Sequence, residues 1–225
     1  MEKHGLVRII DQTLLSQTAT EEQVREFCEE ARPYGFASVC VNPVFVPVAE
    51  KILSGSGTAV CTVIDFPLGA GGTACKISQA LGALDAGARE LDFVVELALV
   101  KSHDWDRLTR GLMSVTEEVK KRDGDAVTKL IIETCLLTDE EKAKACLCAR
   151  DSGFDYVKTS TGFAGGGATE HDVRLMRAAV GESMGVKASG GIHTADEAWA
   201  MVKAGASRIG ASAGVAIARE LCITP

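Results

Sequence analysis

The chain has 225 residues, 46% of them hydrophobic and 24% charged, with a formal net charge of -7 at pH 7. That length suits one large domain spanning residues 1–225, and an acidic balance without basic blocks excludes the usual nucleic-acid binder. No window approaches the roughly 18 apolar residues of a membrane span, and Met1-Glu2-Lys3-His4-Gly5 lacks an apolar signal core, so a cytoplasmic protein acting on a small molecule is expected.

Taken in order, short apolar runs suggest strands at residues 6–11, 36–41, 59–64, 90–95, 129–134, 155–159, 185–189 and 208–212. Helical segments fill the gaps. After the first run, Thr20-x-x-Gln23 reads as a capping box, followed by an apolar stripe of Val24, Phe27, Cys28 and Ala31 at i, i+3, i+4, i+7. Thr138-x-x-Glu141 and Thr194-x-x-Glu197 repeat the box, and Thr169 with Asp172 is a weaker version. Gly87, Gly153 and Gly205 stand where a helix ends on a left-handed residue just before a strand. The strands read as continuous apolar runs, as parallel strands covered on both faces do. Eight β/α units in this length predict an α/β fold, a single-domain (β/α)8 TIM barrel. The competitor, a doubly wound open sheet, lacks its Gly-x-Gly-x-x-Gly after the first strand.

In such a barrel chemistry gathers at the C-terminal strand ends. The polar residues there are Asp11, Cys40 with Asn42, Asp65, Asp92, Glu133, Lys158 and Lys187. Lys158 and Lys187 each stand where an apolar strand breaks into a small-residue turn, Lys158-Thr159-Ser160-Thr161-Gly162 and Lys187-Ala188-Ser189-Gly190-Gly191. A lysine near its reference pKa of about 10.4 is rarely neutral at pH 7, so a nucleophilic amine needs help. Adjacent strands about 4.8 Å apart would bring two lysine heads within about 6 Å, and their repulsion would lower one amine to near 8. The plainer alternative makes both lysines ion-pair members with Asp92 or Glu133.

Asp92 sits inside Leu91-Asp92-Phe93-Val94-Val95, where a carboxylate needs either a partner or a task. It either shuttles protons during imine chemistry or neutralises a lysine. Asp11 either orders the same network or caps its own turn. Cys40 has no histidine nearby and reads first as core packing, with substrate contact as the other possibility. Ser189-Gly190-Gly191 and Gly210-Ala211-Ser212-Ala213-Gly214 read as a phosphate cradle, since small residues let backbone N–H groups approach an anion.

The eight cysteines include no Cys-x-x-Cys pair and mostly lie in apolar segments, so free thiols are expected. His4, His103, His171 and His193 form no ligand pattern, so neither a metal nor an organic cofactor is expected.

Together these stretches resemble the 2-deoxyribose-5-phosphate aldolase family. The resemblance is carried by Val39-Cys40-Val41-Asn42-Pro43, Asp65-Phe66-Pro67-Leu68-Gly69, Glu90-Leu91-Asp92, Ile132-Glu133-Thr134, Val157-Lys158-Thr159-Ser160-Thr161-Gly162 and Val186-Lys187-Ala188-Ser189-Gly190-Gly191. It implies that Lys158 forms an imine, Lys187 lowers its pKa and Asp92 relays protons. It further implies that Gly162, Gly190, Gly191, Gly210 and Ser212 hold a 5-phosphate, and that the protein is a homo-oligomer acting on phosphosugars and aldehydes. Departures stand at Gln12, Gln79, Glu96 and Ala211, where the family often has His, Glu, Asn and Thr, and the tail Leu221-Cys222-Ile223-Thr224-Pro225 lacks a tyrosine that some members carry. Two rivals remain: a Schiff-base aldolase for another phosphosugar, and a barrel that binds a phosphosugar without turning it over.

Overall fold

Eight parallel strands pair in chain order and close, β8 returning to β1, in a computed structural model that describes residues 2–223. The strands are β1 (Ile10–Leu14), β2 (Ser38–Val41), β3 (Ala59–Ile64), β4 (Glu90–Val94), β5 (Val127–Ile131), β6 (Tyr156–Lys158), β7 (Gly185–Ser189) and β8 (Arg208–Ala211). The helices are α1 (Lys3–Val7), α2 (Glu21–Ala31), α3 (Val46–Leu53), α4 (Gly72–Asp85), α5 (Leu97–Lys101), α6 (Trp105–Arg122), α7 (Asp139–Asp151), α8 (Glu170–Val180), α9 (Ala195–Ala204) and α10 (Gly214–Glu220). This is the (β/α)8 barrel expected from the alternation. Thr224 and Pro225 of the tail, like Met1, lie outside the described residues.

The helices start where their caps direct. Thr20, Thr138 and Thr194 each accept from a backbone N–H three residues on, and Gln23, Glu141 and Glu197 reach back to complete the box. Thr169 accepts from Asp172 N–H, a one-sided cap. The stripe on α2 is laid down as its period requires, with Val24, Cys28 and Ala31 buried and Phe27 half-buried. Gly87, Gly153 and Gly205 all take positive φ at the turn into a strand.

The first and fifth strands depart furthest from the sequence expectation, β2, β4, β6 and β8 being shorter by one or two residues. Leu6 and Val7 belong to α1 and are buried in the main core, so the first strand starts only at Ile10. The fifth strand is Val127–Ile131, two residues earlier than expected, because the chain turns at Glu133, which takes a left-handed φ of 56°.

The core is an annulus of Leu, Ile, Val, Ala, Met and Phe between barrel and helices. Each large apolar side chain buried there contributes about 1.5–3 kcal/mol. Strand residues alternate between that annulus and the barrel interior. Charged residues of β1 and β4 to β8 occupy much of the interior beside a small apolar cluster from β2 and β3, and they form the site.

Candidate active site

β4 supplies Asp92 to the barrel interior, fully buried between Leu91 and Phe93, which face the annulus. The C-terminal residues of β6 and the middle of β7 bring Lys158 and Lys187 into register as direct neighbours. Both ammonium groups donate to a single oxygen, Asp92 Oδ2, at 2.7 Å each. The two nitrogens therefore lie within twice that distance of one another, as the strand spacing predicts. The carboxylate between them makes both lysines ion-pair partners of Asp92, as the plainer sequence reading allowed.

Asp92 Oδ1 is taken from the other side. Lys129 Nζ on β5 donates to it at 2.8 Å, and Cys61 Sγ on β3 lies 3.4 Å away. Lys129 also lies 2.7 Å from Glu90 and 3.8 Å from Asp11. Arg208, at the start of β8, donates to Asp11 Oδ1 at 2.7 Å and to both Glu90 oxygens at 3.2 Å. Lys187 approaches Asp11 Oδ2 to 2.5 Å as an ion contact outside hydrogen-bond geometry. Four basic and three acidic side chains from β1, β4, β5, β6, β7 and β8 thus form one buried lattice. Its cost in lost hydration is offset only because each charge meets several opposite ones.

The electrostatics follow from these contacts. Burial pushes the Asp92 carboxyl up, but Lys129, Lys158 and Lys187 outweigh it and hold Asp92 well below the usual carboxylate range. Burial likewise opposes ionisation of Asp11, and Lys187, Lys129 and Arg208 bring it below its ordinary value. For Lys187, burial lowers the amine, yet Asp11 and Asp92 more than compensate and hold it above the ordinary lysine value. Lys187 is thus a standing ammonium, held charged by Asp11 and Asp92. Lys129 is raised in the same way, burial being outweighed by Asp92 and its acidic neighbours.

Other expected residues fall into different roles. Asp11 belongs to this lattice and not to a phosphate loop, and Glu133 pairs with no lysine, accepting instead from Thr161 N–H at 3.1 Å and from the Thr161 hydroxyl. Cys40 is buried in a small interior cluster with Leu15, Cys61 and Val63, against which Phe66 packs. Its thiol is lowered, chiefly by the neighbouring Cys61, against the pull of burial. Leu15 and Phe66 also wall a pocket of about 380 Å³ beside the strand ends, with Asn42, Val44, Phe45 and Phe163.

The small-residue turns lie together above the lysines. Gly190 takes φ 89°, its carbonyl accepts from Ala168 N–H at 3.0 Å, and Gly167 stands so close that a Cβ on Gly190 would lie 2.9 Å from its Cα. Ser189 Oγ donates to Ser160 O at 2.8 Å and Thr159 Oγ1 to Ser189 O at 3.0 Å, tying the turns after β6 and β7 together. Gly162 and Gly191 face open space. Gly210 differs: a Cβ there would lie 3.0 Å from Lys187 Cε and 2.8 Å from Ser189 Cβ, so its small size makes room for the lysine stem.

The departures also find places. Gln79 accepts from Asp65 N–H at 2.7 Å and so braces the turn after β3, where Lys76 pairs with Asp65. Glu96 lines a small gap with Thr73, Lys76 and Leu99 in the helical layer, apart from the Asp92 lattice. Ala211 is buried, in register with Gln12.

Lys129, Glu90 and Arg208 were not singled out from sequence. Each is followed by an apolar residue, Leu91, Leu130 or Ile209, but preceded by a polar one, Arg89, Thr128 or Ser207, so the sequence marks them less clearly than Asp92, which lies between Leu91 and Phe93.

A family model described as DeoC/LacD family aldolase matches residues 6–223. A deoxyribose-phosphate aldolase from Thermoanaerobacter pseudethanolicus is 52% identical over 216 residues, covering 96% of each chain. One from Enterococcus faecalis is 51% identical over 212 residues, covering 94% of this chain and 95% of the relative. The solved tetrameric deoxyribose phosphate aldolase from Aeropyrum pernix superposes with a TM-score of 0.90 at 35% identity, covering 98% of this chain and 92% of that one.

Proposed function

The chain belongs to the DeoC/LacD family of aldolases, and on that premise we propose that it cleaves 2-deoxy-D-ribose 5-phosphate reversibly to D-glyceraldehyde 3-phosphate and acetaldehyde through an imine on Lys158. The observation that carries this reading is the single oxygen of Asp92 shared by Lys158 and Lys187 at 2.7 Å each.

Lys158, with its proton passed to Asp92 Oδ2, attacks C1 of the open-chain sugar. The resulting carbinolamine loses its hydroxyl as water, for which a donor is needed. Lys187 supplies that proton, because its neighbours hold it as an ammonium, and Asp92 returns one to it from the opposite side of the same oxygen. The iminium that forms keeps a positive charge beside Asp92, so the lattice never holds a carboxylate without its counter-charges. With C1 as electron sink, the C3 hydroxyl gives up its proton to the Asp92 carboxylate, the C2–C3 bond breaks and glyceraldehyde 3-phosphate leaves, and the proton held on Asp92 is the one that C2 of the enamine then receives. The enamine left on Lys158 is protonated at C2, and hydrolysis frees acetaldehyde and the amine. Gly162, Gly190, Gly191 and Ser212 present backbone N–H groups and a hydroxyl to the phosphate in this reading.

The same reading takes residues 1–225 as one catalytic domain and the enzyme as a cytoplasmic homo-oligomer, supported by the tetrameric Aeropyrum pernix relative. Light scattering of the purified protein tests the last point.

Trapping decides the mechanism. Incubation with 2-deoxyribose 5-phosphate and borohydride, then peptide mapping, is expected to place a reduced adduct on Lys158 alone. An adduct on Lys187, or none in a folded protein that binds the phosphosugar, would sink the assignment.

A further inference from the structure

β1 carries three consecutive polar residues, Asp11, Gln12 and Thr13, and the pleat sends the first two opposite ways. Asp11 enters the charge lattice. Gln12 points outward toward the start of α10, where it is 2% exposed and, with Ile10, closes round Gly214. A carboxamide buried among apolar groups is costly unless both ends are bonded. Both ends of Gln12 go to one short stretch of backbone. Its Oε1 accepts from Gly214 N–H at 2.7 Å, and its Nε2 donates to Ser212 O at 3.3 Å. Gly214 has no Cβ at the point where one would run into that oxygen. The side chain therefore spans the Ser212-Ala213-Gly214 turn from below, fixing one carbonyl and one N–H.

We propose that Gln12 is a positioning residue for phosphate recognition. It turns the carbonyl of Ser212 and the N–H of Gly214 inward to itself, which leaves the Ser212 hydroxyl and the intervening backbone to face the mouth of the barrel where the 5-phosphate of the sugar sits. This rests on the reading of that turn as part of the phosphate cradle. It gives the departure at Gln12 a task, where the sequence alone left it as a mark of divergence.

The measurement is the ratio of kcat/KM for 2-deoxyribose 5-phosphate to that for unphosphorylated 2-deoxyribose, in wild type and in Gln12→Met, which keeps volume and removes both hydrogen bonds. The ratio is expected to fall about tenfold, the effect of one misplaced hydrogen-bonding group, with the loss chiefly in KM for the phosphorylated sugar. Inhibition by inorganic phosphate should weaken by a similar factor. Equal losses on both sugars would show that Gln12 supports the barrel in general, and an unchanged ratio would show that the turn holds without it; either overturns the proposal. Should the Met variant fail to fold, Gln12→Glu keeps an acceptor for Gly214 N–H but sets a carboxylate against Ser212 O, and the same fall in ratio is expected. The parent reading fails separately, if wild type shows no preference for the phosphorylated sugar or if borohydride traps nothing on Lys158.

Discussion

Lys129 reaches Asp92 from below, with its ammonium 2.8 Å from the carboxylate oxygen that Lys158 and Lys187 leave free. In the proposed mechanism it anchors the carboxylate that passes protons. Lys129→Met keeps the stem and deletes the charge, so Asp92 loses the contact that fixes its plane. We expect kcat to fall about a hundredfold, as a small misplacement of a reacting group does, while borohydride still labels Lys158. An unchanged kcat would mean that Asp92 is oriented without Lys129.

Asp92→Asn removes the charge that three lysines share. Leaving buried ammoniums without it should cost about 3–5 kcal/mol of stability, read from urea unfolding, and turnover should drop to a trace. A folded variant with near-native stability would show that Asp11 and Glu90 suffice to balance the lattice.

Gly210→Ala tests the space around Lys187. The added methyl would stand 3.0 Å from Lys187 Cε and 2.8 Å from Ser189 Cβ, so the lysine stem must shift. We expect overpacking to cost about 1–3 kcal/mol and kcat to fall more than KM rises. Loss of phosphate affinity alone would instead place Gly210 in the cradle.

Stability should be flat across neutral pH and fall at both ends. Asp11 and Asp92 titrate lower in the folded chain than in the unfolded one, so their contribution is present above about pH 4 and is lost as pH drops toward the folded values. Lys129 and Lys187 titrate higher when folded, so theirs is complete below about pH 10 and is lost only as pH climbs toward the folded values. Thermal unfolding from acid to alkaline buffers checks this. A steep loss across roughly pH 6 to 8 would contradict it.

Thiol reactivity should divide by burial. Cys28 is pushed up to about 11 and Cys146 to about 12 by burial, whereas Cys135 and Cys222 are exposed. Iodoacetamide near neutral pH should label Cys135 and Cys222 and spare Cys28 and Cys146 in the folded enzyme, as peptide mapping would show.

The architecture was legible because its signals are local: Thr-capped helices, glycines before strands, and apolar runs such as 59–64 and 185–189, whose bounds match β3 and β7. Leu6 and Val7 misled because a short apolar run has no period long enough to tell helix from strand. In the site, Lys158, Lys187 and Asp92 stood out beside turns or within an apolar strand. Lys129 and Arg208 did not, since Lys129 follows the polar Thr128 and Arg208 opens β8 after Ser207, and only the pairing of the strands into a closed barrel brings their side chains to the carboxylates. The same closure decides that Lys187 is held charged by its neighbours, a matter that spacing along the chain does not express.

Asp11 and Arg208 are 197 positions apart in sequence and 2.7 Å apart in the barrel. A ribosome makes the first long before the second, so for most of synthesis the acids of β1 and β4 wait without their last counter-charge. Chains stopped short of β8 would contain Lys158, Lys187 and Asp92 yet have no ring to hold them. Such distant pairing slows folding, and it also makes turnover a sensor of completeness: any activity reports a chain whose two ends have met.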